Sequence, residues 1–364
     1  MDLRALVTLA LSLALTACSD DGGGGLTGDL TSGTDSGEPS SPTGDASTTT
    51  TTTTTSGTTG PDPTTGGSTS EPGTTSEPGT TTGEPDTTST TGVSGCEGGG
   101  LGPGDHTIML EHGGAMRSAI VHVPPGHDPQ APSPVVLNFH GFTQDAAGEV
   151  LFSGMNPVAD ANDFVVVYPE GLYNSWNAGF CCGQAVNSAV DDIGFVRALV
   201  ARLHEELCLD PARVYAAGMS NGGYISHRLA CEATDLIAAI APVSATIVID
   251  PCAPSRTIPV MMFNGTSDIL VPYDGGIYQS APQSFADWAL YNNCTDMPEV
   301  TQQVGGVTCE TYDECDDGVS VTLCTIEGMG HCWPGNPVCP FGTPNVDIQA
   351  SEAAWQFFKN YSLP

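Results

Sequence analysis

Beyond residue 100 the apolar positions fall into short runs, and their spacing alternates between two periods. "SPVVLNFHG" (133–141), "DFVVVYPEG" (163–171), "RVYAAG" (213–218) and "IPVMMFNG" (258–265) are Val-rich, apolar on both faces and closed by turn residues. Runs of this kind suit the central strands of a parallel sheet covered on both sides. Between them, "DIGFVRALVARLHEEL" (192–207) has a helical period, with Val196, Leu199, Val200, Leu203 and Leu207 on one face. Asp191 and Asp192 at its start are read as helix capping. "YISHRLAC" (224–231) predicts a second helix, and "EAAWQFFKNY" (352–361) lies in a last one. Alternating strand and helix patterns imply an α/β fold: a doubly wound, mostly parallel sheet with helices on both faces.

No such pattern exists earlier in the chain. From about Asp20 to Ser94 the sequence is almost wholly Thr, Gly, Ser, Pro and acid, including the run Thr48 to Thr55. Such a tract has no apolar side chains to offset chain entropy and is predicted to be disordered. One domain, residues 96–364, is left to fold. Residues 1–17 read as an export signal, with Arg4 followed by an apolar run too short to span a bilayer. Leu15-Thr16-Ala17-Cys18 has the form of a bacterial lipobox, so Cys18 is the expected lipidation site. Residues 18–95 would then be a tether of about 50 Å as a random coil. The predicted location is extracellular, at a bacterial cell surface, with membrane contact through the lipid anchor only.

Charge and cysteine content agree with export. The net charge is −34, and residues 96–364 keep thirty acids against seven bases. A surface that acidic argues against nucleic-acid binding. Thirteen cysteines less a lipidated Cys18 leave an even dozen, which in an exported domain favours disulfides over thiols. The spacings do not suit zinc, and no metal site is expected. The stretches 307–313 and 319–327 read as strands around a turn at Asp316-Asp317-Gly318, which sets Cys309 opposite Cys324. Cys332 and Cys339 close a short loop around "CWPGNPVC".

The strand–helix context changes the meaning of "GMSNGGY" (218–224). Ser220 follows one predicted strand and precedes a predicted helix, the setting of a nucleophile elbow, and this is the one G-x-S-x-G in the chain. A serine hydroxyl needs a base, and the base needs an orienting acid. Asp268 lies in the loop after "IPVMMFNG" and is preferred to Asp274, which is further from the strand. His331, in a Gly-rich loop after the last strand, is the base of choice among eight histidines. His140-Gly141-Phe142 closes an early strand. The backbone N–H groups of Phe142 and Asn221 are therefore the expected oxyanion hole, with His140 bracing the loop. Tyr173, Trp176 and Trp333, together with Phe142, are candidates for an aromatic substrate mouth.

Seven motifs in order, "LNFHGFTQ", "VVYPEG", "WNAGFCCG", "VDDIGFVRALV", "RVYAAGMSNGGY", "NGTSDILVPYDGG" and "GMGHCWPG", resemble the secreted polyhydroxybutyrate depolymerase and feruloyl esterase group. This is carbohydrate esterase family one, within the α/β-hydrolase superfamily. The resemblance implies an α/β-hydrolase fold and ester hydrolysis, on polyester oligomers or plant cell-wall esters, without metal or organic cofactor. Its nucleophile, acid and base fall on Ser220, Asp268 and His331. It also suggests the pairs Cys231–Cys252 and Cys294–Cys315, with Cys208 bonded to one of Cys181 or Cys182 and Cys96 to the other. Phe142 departs from the smaller residue or Cys expected after His-Gly, and Cys332 beside His331 should stiffen its loop. No polymer-binding module follows the last helix, which weakens a solid-polymer role. The competing readings are a serine peptidase on the same fold and a catalytically inactive surface-binding protein. The oligomeric state is not fixed by these features.

Overall fold

The computed structural model describes Cys96 and residues 100–364; the expected signal, Cys18 and the Thr-rich tract lie outside the described residues. Among the described residues ten strands form one sheet: β1 (Gly104–His112), β2 (Ala115–Val123), β3 (Ser133–Phe139), β4 (Val165–Pro169), β5 (Leu209–Met219), β6 (Ala239–Val243), β7 (Val260–Gly265), β8 (Glu299–Val304), β9 (Val307–Tyr312) and β10 (Val321–Ile326). Their order across the sheet is β1-β2-β4-β3-β5-β6-β7-β10-β9-β8. The neighbours from β4 to β10 pair in parallel. Antiparallel strands flank them, β1 and β2 on one side and β9 and β8 on the other. The parallel part is a doubly wound sheet with an apolar core on each face.

The four Val-rich runs all lie in the parallel part, and three of their strands, β3, β4 and β7, are buried at every position. Helices supply the cover: α1 (Ala146–Ser153), α2 (Asn156–Asn162), α3 (Gly183–Asn187), α4 (Asp192–Glu206), α5 (Asn221–Glu232), α6 (Ala281–Tyr291) and α7 (Ala350–Phe358). Successive residues of β3 enter opposite cores, Val135 and Leu137 in one apolar cluster and Val136 in the other. That alternation follows from the two-residue period of a strand. Helix α4 buries Val196, Leu199, Val200 and Leu203 as its pattern demands. Each such side chain contributes roughly 1.5–3 kcal/mol on leaving water.

Capping at α4, expected of both aspartates, falls to one of them. Asp191 caps the helix, accepting from Gly194 N. Asp192 does not share that task. It is fully buried and ion-paired to Arg117 at 2.8 Å.

Six disulfides close among the described residues. Cys309 and Cys324 face each other in register across β9 and β10. Cys231 joins Cys252, Cys294 joins Cys315, and Cys332 joins Cys339. The expected cross-pairing of Cys96 and Cys208 with Cys181 and Cys182 is corrected: Cys96 bonds Cys208, and Cys181 bonds its neighbour Cys182. The incoming chain runs along the end of α4, where Leu101 N donates to Glu206 O at 3.0 Å, and this delivers Cys96 to Cys208. With Cys208 taken, the adjacent pair is left to itself.

Candidate active site

Ser220 lies between the last residue of β5 and the first of α5, at φ 56° and ψ −120°. Positive φ in a residue with a Cβ costs of order 1–3 kcal/mol and persists only when its surroundings enforce it. Here they do. Ser220 N donates to Val243 O of β6 at 2.9 Å, and its carbonyl accepts from Tyr224 N at 2.8 Å. The flanking glycines are sterically required. A Cβ on Gly222 would lie 1.9 Å from Phe139 O, and one on Gly218 would lie 2.6 Å from the same oxygen. Strand β3 and helix α5 therefore meet backbone to backbone under the serine.

Asp268 follows β7, and His331 follows β10, the parallel neighbour of β7. With β5, β6, β7 and β10 adjacent, all three residues lie off the carboxyl edge of one stretch of sheet. Functional loops belong at that edge in open α/β sheets. Asp268 and His331 are both nearly buried, and His331 Nδ1 sits 2.7 Å from Asp268 Oδ2. A carboxylate only accepts, so Nδ1 carries the hydrogen and Nε2 keeps its lone pair. The second oxygen, Oδ1, accepts from Leu270 N and Val271 N, each at 2.9 Å. Asp274 is exposed further along the same loop.

The His331 loop is fixed by backbone bonds as well as by the Cys332–Cys339 link. His331 N donates to Phe341 O at 2.9 Å and Gly330 N to Thr343 O at 3.0 Å. Ser267 N donates to Met329 O at 3.0 Å, stitching the acid's loop to the histidine's.

The two expected oxyanion donors are held by one segment. Phe142 sits in a tight turn in which Gln144 N donates to Gly141 O at 3.2 Å and Gly141 N to Gln144 Oε1 at 2.9 Å. Thr143 N reaches Asn174 O at 2.8 Å. His140 is fully buried: Nδ1 lies 2.8 Å from Gly141 O, and Nε2 accepts from Gly171 N at 3.0 Å. A carbonyl on one side and an N–H on the other fix the neutral Nδ1–H tautomer, and burial lowers the ring's affinity for a second proton. Asn221 begins α5, where a first-turn N–H has no helical partner. Its side chain has another task. Oδ1 accepts from Trp176 N at 2.7 Å, while Nδ2 donates to Trp176 O at 3.0 Å and Cys181 O at 3.3 Å.

The aromatic mouth is not where the sequence suggests. Trp176 and Trp333 are buried, at 0% and 2% exposure, and offer no face to a ligand. Trp176 lies under the turn, its Nε1 donating to His140 O at 3.0 Å, and Trp333 donates to Ser351 Oγ of α7 at 3.2 Å. Tyr173 is exposed, at positive φ. Sequence reasoning missed Phe180, 63% exposed on the loop that Asn221 clamps, and its edge-to-face partner Tyr278 at 6.1 Å. These two help line a cleft of about 330 Å³ with Ile249 and Ile277. Tyr278 also lies 5.4 Å from the ring of Tyr224, one helical turn beyond Ser220. Phe180 had a signal, an aromatic between Gly179 and the paired cysteines; Tyr278 had none.

A family model described as esterase PHB depolymerase matches residues 117–280. Feruloyl esterase B of Piromyces equi is 33% identical over 267 residues, 68% of this chain and 46% of its own length. This chain therefore spans less than half of that relative. NocK of Nocardia uniformis subsp. tsuyamanensis, named as an esterase, is 30% identical over 273 residues, 66% of this chain and 78% of its own length. Among solved structures, a CE1 ferulic acid esterase from Anaeromyces mucronatus aligns at 14% identity and TM-score 0.47, over 71% of this chain and 90% of its own.

Proposed function

We propose that this chain, which belongs to the esterase PHB depolymerase family, is an exported serine carboxylesterase. One observation carries the reading: an Asp268–His331 pair at 2.7 Å on the same sheet edge as a serine held at positive φ. Ser220 Oγ attacks the ester carbonyl while His331 Nε2 takes its proton. Asp268 keeps the imidazole in the Nδ1–H tautomer and stabilises the imidazolium that forms. The N–H groups of Phe142 and Asn221 receive the developing oxyanion, and loss of one such donor typically costs 10²–10³ in rate. His331 returns the proton to the departing alkoxide. Water, deprotonated by the same histidine, then attacks the acyl-enzyme and releases the acid.

The cleft beside Phe180 and Tyr278 supports an aromatic or apolar group on the substrate, as in a feruloyl-type ester or a polyester oligomer. The signal and lipobox at Cys18 support a lipid-anchored protein at a bacterial surface, and six disulfides fit that oxidising side. A fluorophosphonate probe tests the chemistry. It should label the wild type and not Ser220→Ala, and the unlabelled wild type should cleave p-nitrophenyl acetate, methyl ferulate or a polyhydroxybutyrate film, an activity that labelling abolishes. No labelling of the wild type would refute the enzyme reading; labelling that survives Ser220→Ala would refute the nucleophile. For the anchor, Cys18→Ala should release the protein from the membrane fraction.

A further inference from the structure

The buried pair Arg117–Asp192 has no part in the reaction steps, yet it is the most completely enclosed ion pair among the described residues. The guanidinium stacks 3.7 Å above the Phe195 ring and 5.9 Å from that of Trp176. Burial pushes the Asp192 carboxyl up and the Arg117 guanidinium down from their ordinary values, and mutual attraction opposes both shifts. Taking two charges out of water costs several kcal/mol per ion, and apolar replacements of like volume are often as stable or more so. Stability alone is therefore a weak reason for the pair.

What the pair grips is more telling. Arg117 donates to Glu170 O at 3.2 Å, and Asp192 Oδ2 accepts from Asn177 N at 2.7 Å. These are the two ends of the segment 170–177. Within it, Gly171 N holds His140 Nε2, Asn174 O holds Thr143 N, and Trp176 Nε1 holds His140 O. The main chain of Trp176 holds the Asn221 side-chain amide through both its N–H and its carbonyl. One short segment thus carries the turn bearing Phe142 N–H and the residue bearing Asn221 N–H. The ion pair fixes that segment at both ends.

We infer that Arg117 and Asp192 are positioning residues for the oxyanion hole, setting the separation and aim of its two N–H donors. The inference rests on the esterase reading above. It also gives the second aspartate of "VDDIGF" a task other than capping. An oxyanion hole works because its donors are already aimed where charge develops, and a misplacement of about 1 Å can cost on the order of 10²-fold in rate.

The test uses Asp192→Asn, Arg117→Lys and the apolar double variant Arg117→Met/Asp192→Leu, each assayed well below its own melting temperature. Asn keeps the shape of Asp192 but sets an NH₂ against one of the two donors, because Arg117 and Asn177 N–H bond different oxygens of the carboxylate. Expected for each folded variant is a kcat lower by about 10–100-fold with KM within about threefold. Affinity for a trifluoromethyl ketone, which forms a tetrahedral adduct with the serine, should fall by the same factor. Inhibition by the product acid should not move. The double variant is the sharpest case, because a melting temperature at or above wild type with kcat still depressed separates positioning from stability. If Asp192→Asn does not fold, Arg117→Lys and the double variant carry the test. Folded variants with wild-type kcat and ketone affinity would overturn the inference and leave the esterase reading untouched. A wild type that hydrolyses no ester would instead remove the esterase reading, and this inference with it.

Discussion

Replacing Asp268 by Asn should abolish turnover while leaving the fold in place. The carboxylate accepts three hydrogen bonds: two from Leu270 N and Val271 N at Oδ1, and one from His331 Nδ1 at Oδ2. An Asn side chain has one oxygen, and the two backbone N–H groups claim it. Its NH₂ then faces His331 Nδ1, which must become an acceptor. The ring hydrogen moves to Nε2, and the imidazole can no longer take the serine proton. The flipped amide would set NH₂ against two buried donors, at roughly 1–3 kcal/mol for each one left unpaired. Rotation therefore offers no escape. A wrong-tautomer histidine costs about 10⁴ in kcat in the serine protease precedent, or about 5.4 kcal/mol at 1.36 kcal/mol per decade. Pre-steady-state hydrolysis of a p-nitrophenyl ester should show the acylation burst slowed by that order, in a protein whose circular dichroism is unchanged. Asp274→Asn, in an exposed loop position, should stay within about twofold of wild type. A folded Asp268→Asn that keeps more than about a tenth of wild-type kcat, or a larger loss at Asp274, would refute the reasoning.

Other outcomes are equally specific. His227 is fully buried against Trp288, accepting from its Nε1 at 3.0 Å, and burial lowers its pKa to about 3. Its neutral form contributes stability that is present above the unfolded value of about 6.5 and is lost as pH falls from there toward 3. Thermal melts of His227→Gln should show a shallower decline between pH 6.5 and 4 than wild type. Glu149 is the opposite case, a fully buried carboxyl with both oxygens unpartnered, pushed well above its ordinary value by burial. Its cost is absent below the unfolded value near 4.5 and grows as pH rises toward the folded one. Glu149→Gln should therefore raise the melting temperature at pH 8 and change little at pH 4. Removing the Cys309–Cys324 bond, which spans 15 residues, should cost about 3 kcal/mol and lower the melting temperature by roughly 5–12 °C. Phe180→Ala should raise KM for methyl ferulate, whereas buried Trp333→Phe should leave KM alone; the reverse pattern would disqualify the cleft.

Local patterns carried a large part of this protein. A strand buried on both faces must be apolar at successive positions, so β3, β4, β5 and β7 were visible as runs. A helix with one wet face must repeat every three to four residues, so α4 was visible too. The elbow was legible because its requirements lie within a few residues: strand, Gly218, Ser220, Gly222, helix. The Cys309–Cys324 pair was legible because a hairpin is local and its turn sets the register. The strands β1 and β2 went unnamed in the sequence, as did β6 and β8, which carry weaker patterns. Loops have no period, so nothing marked Trp176 and Trp333 as buried, and Phe180 had only its place between Gly179 and the paired cysteines. The pairing of Cys96 was equally hidden, because it depends on where an irregular segment crosses the end of α4.

What only the tertiary structure decided is the set of contacts between distant residues. Arg117 and Asp192 lie 75 positions apart, and Trp176 and Asn221 lie 45 apart. Neither partner's local sequence announces the other, because a buried polar group is recognisable only once the surroundings that desolvate it exist. By itself the sequence nominated Ser220, Asp268 and His331 and the turns on which they ride. The fold decided how those turns are held, since hydrogen bonds across layers form only where packing has brought donor and acceptor together.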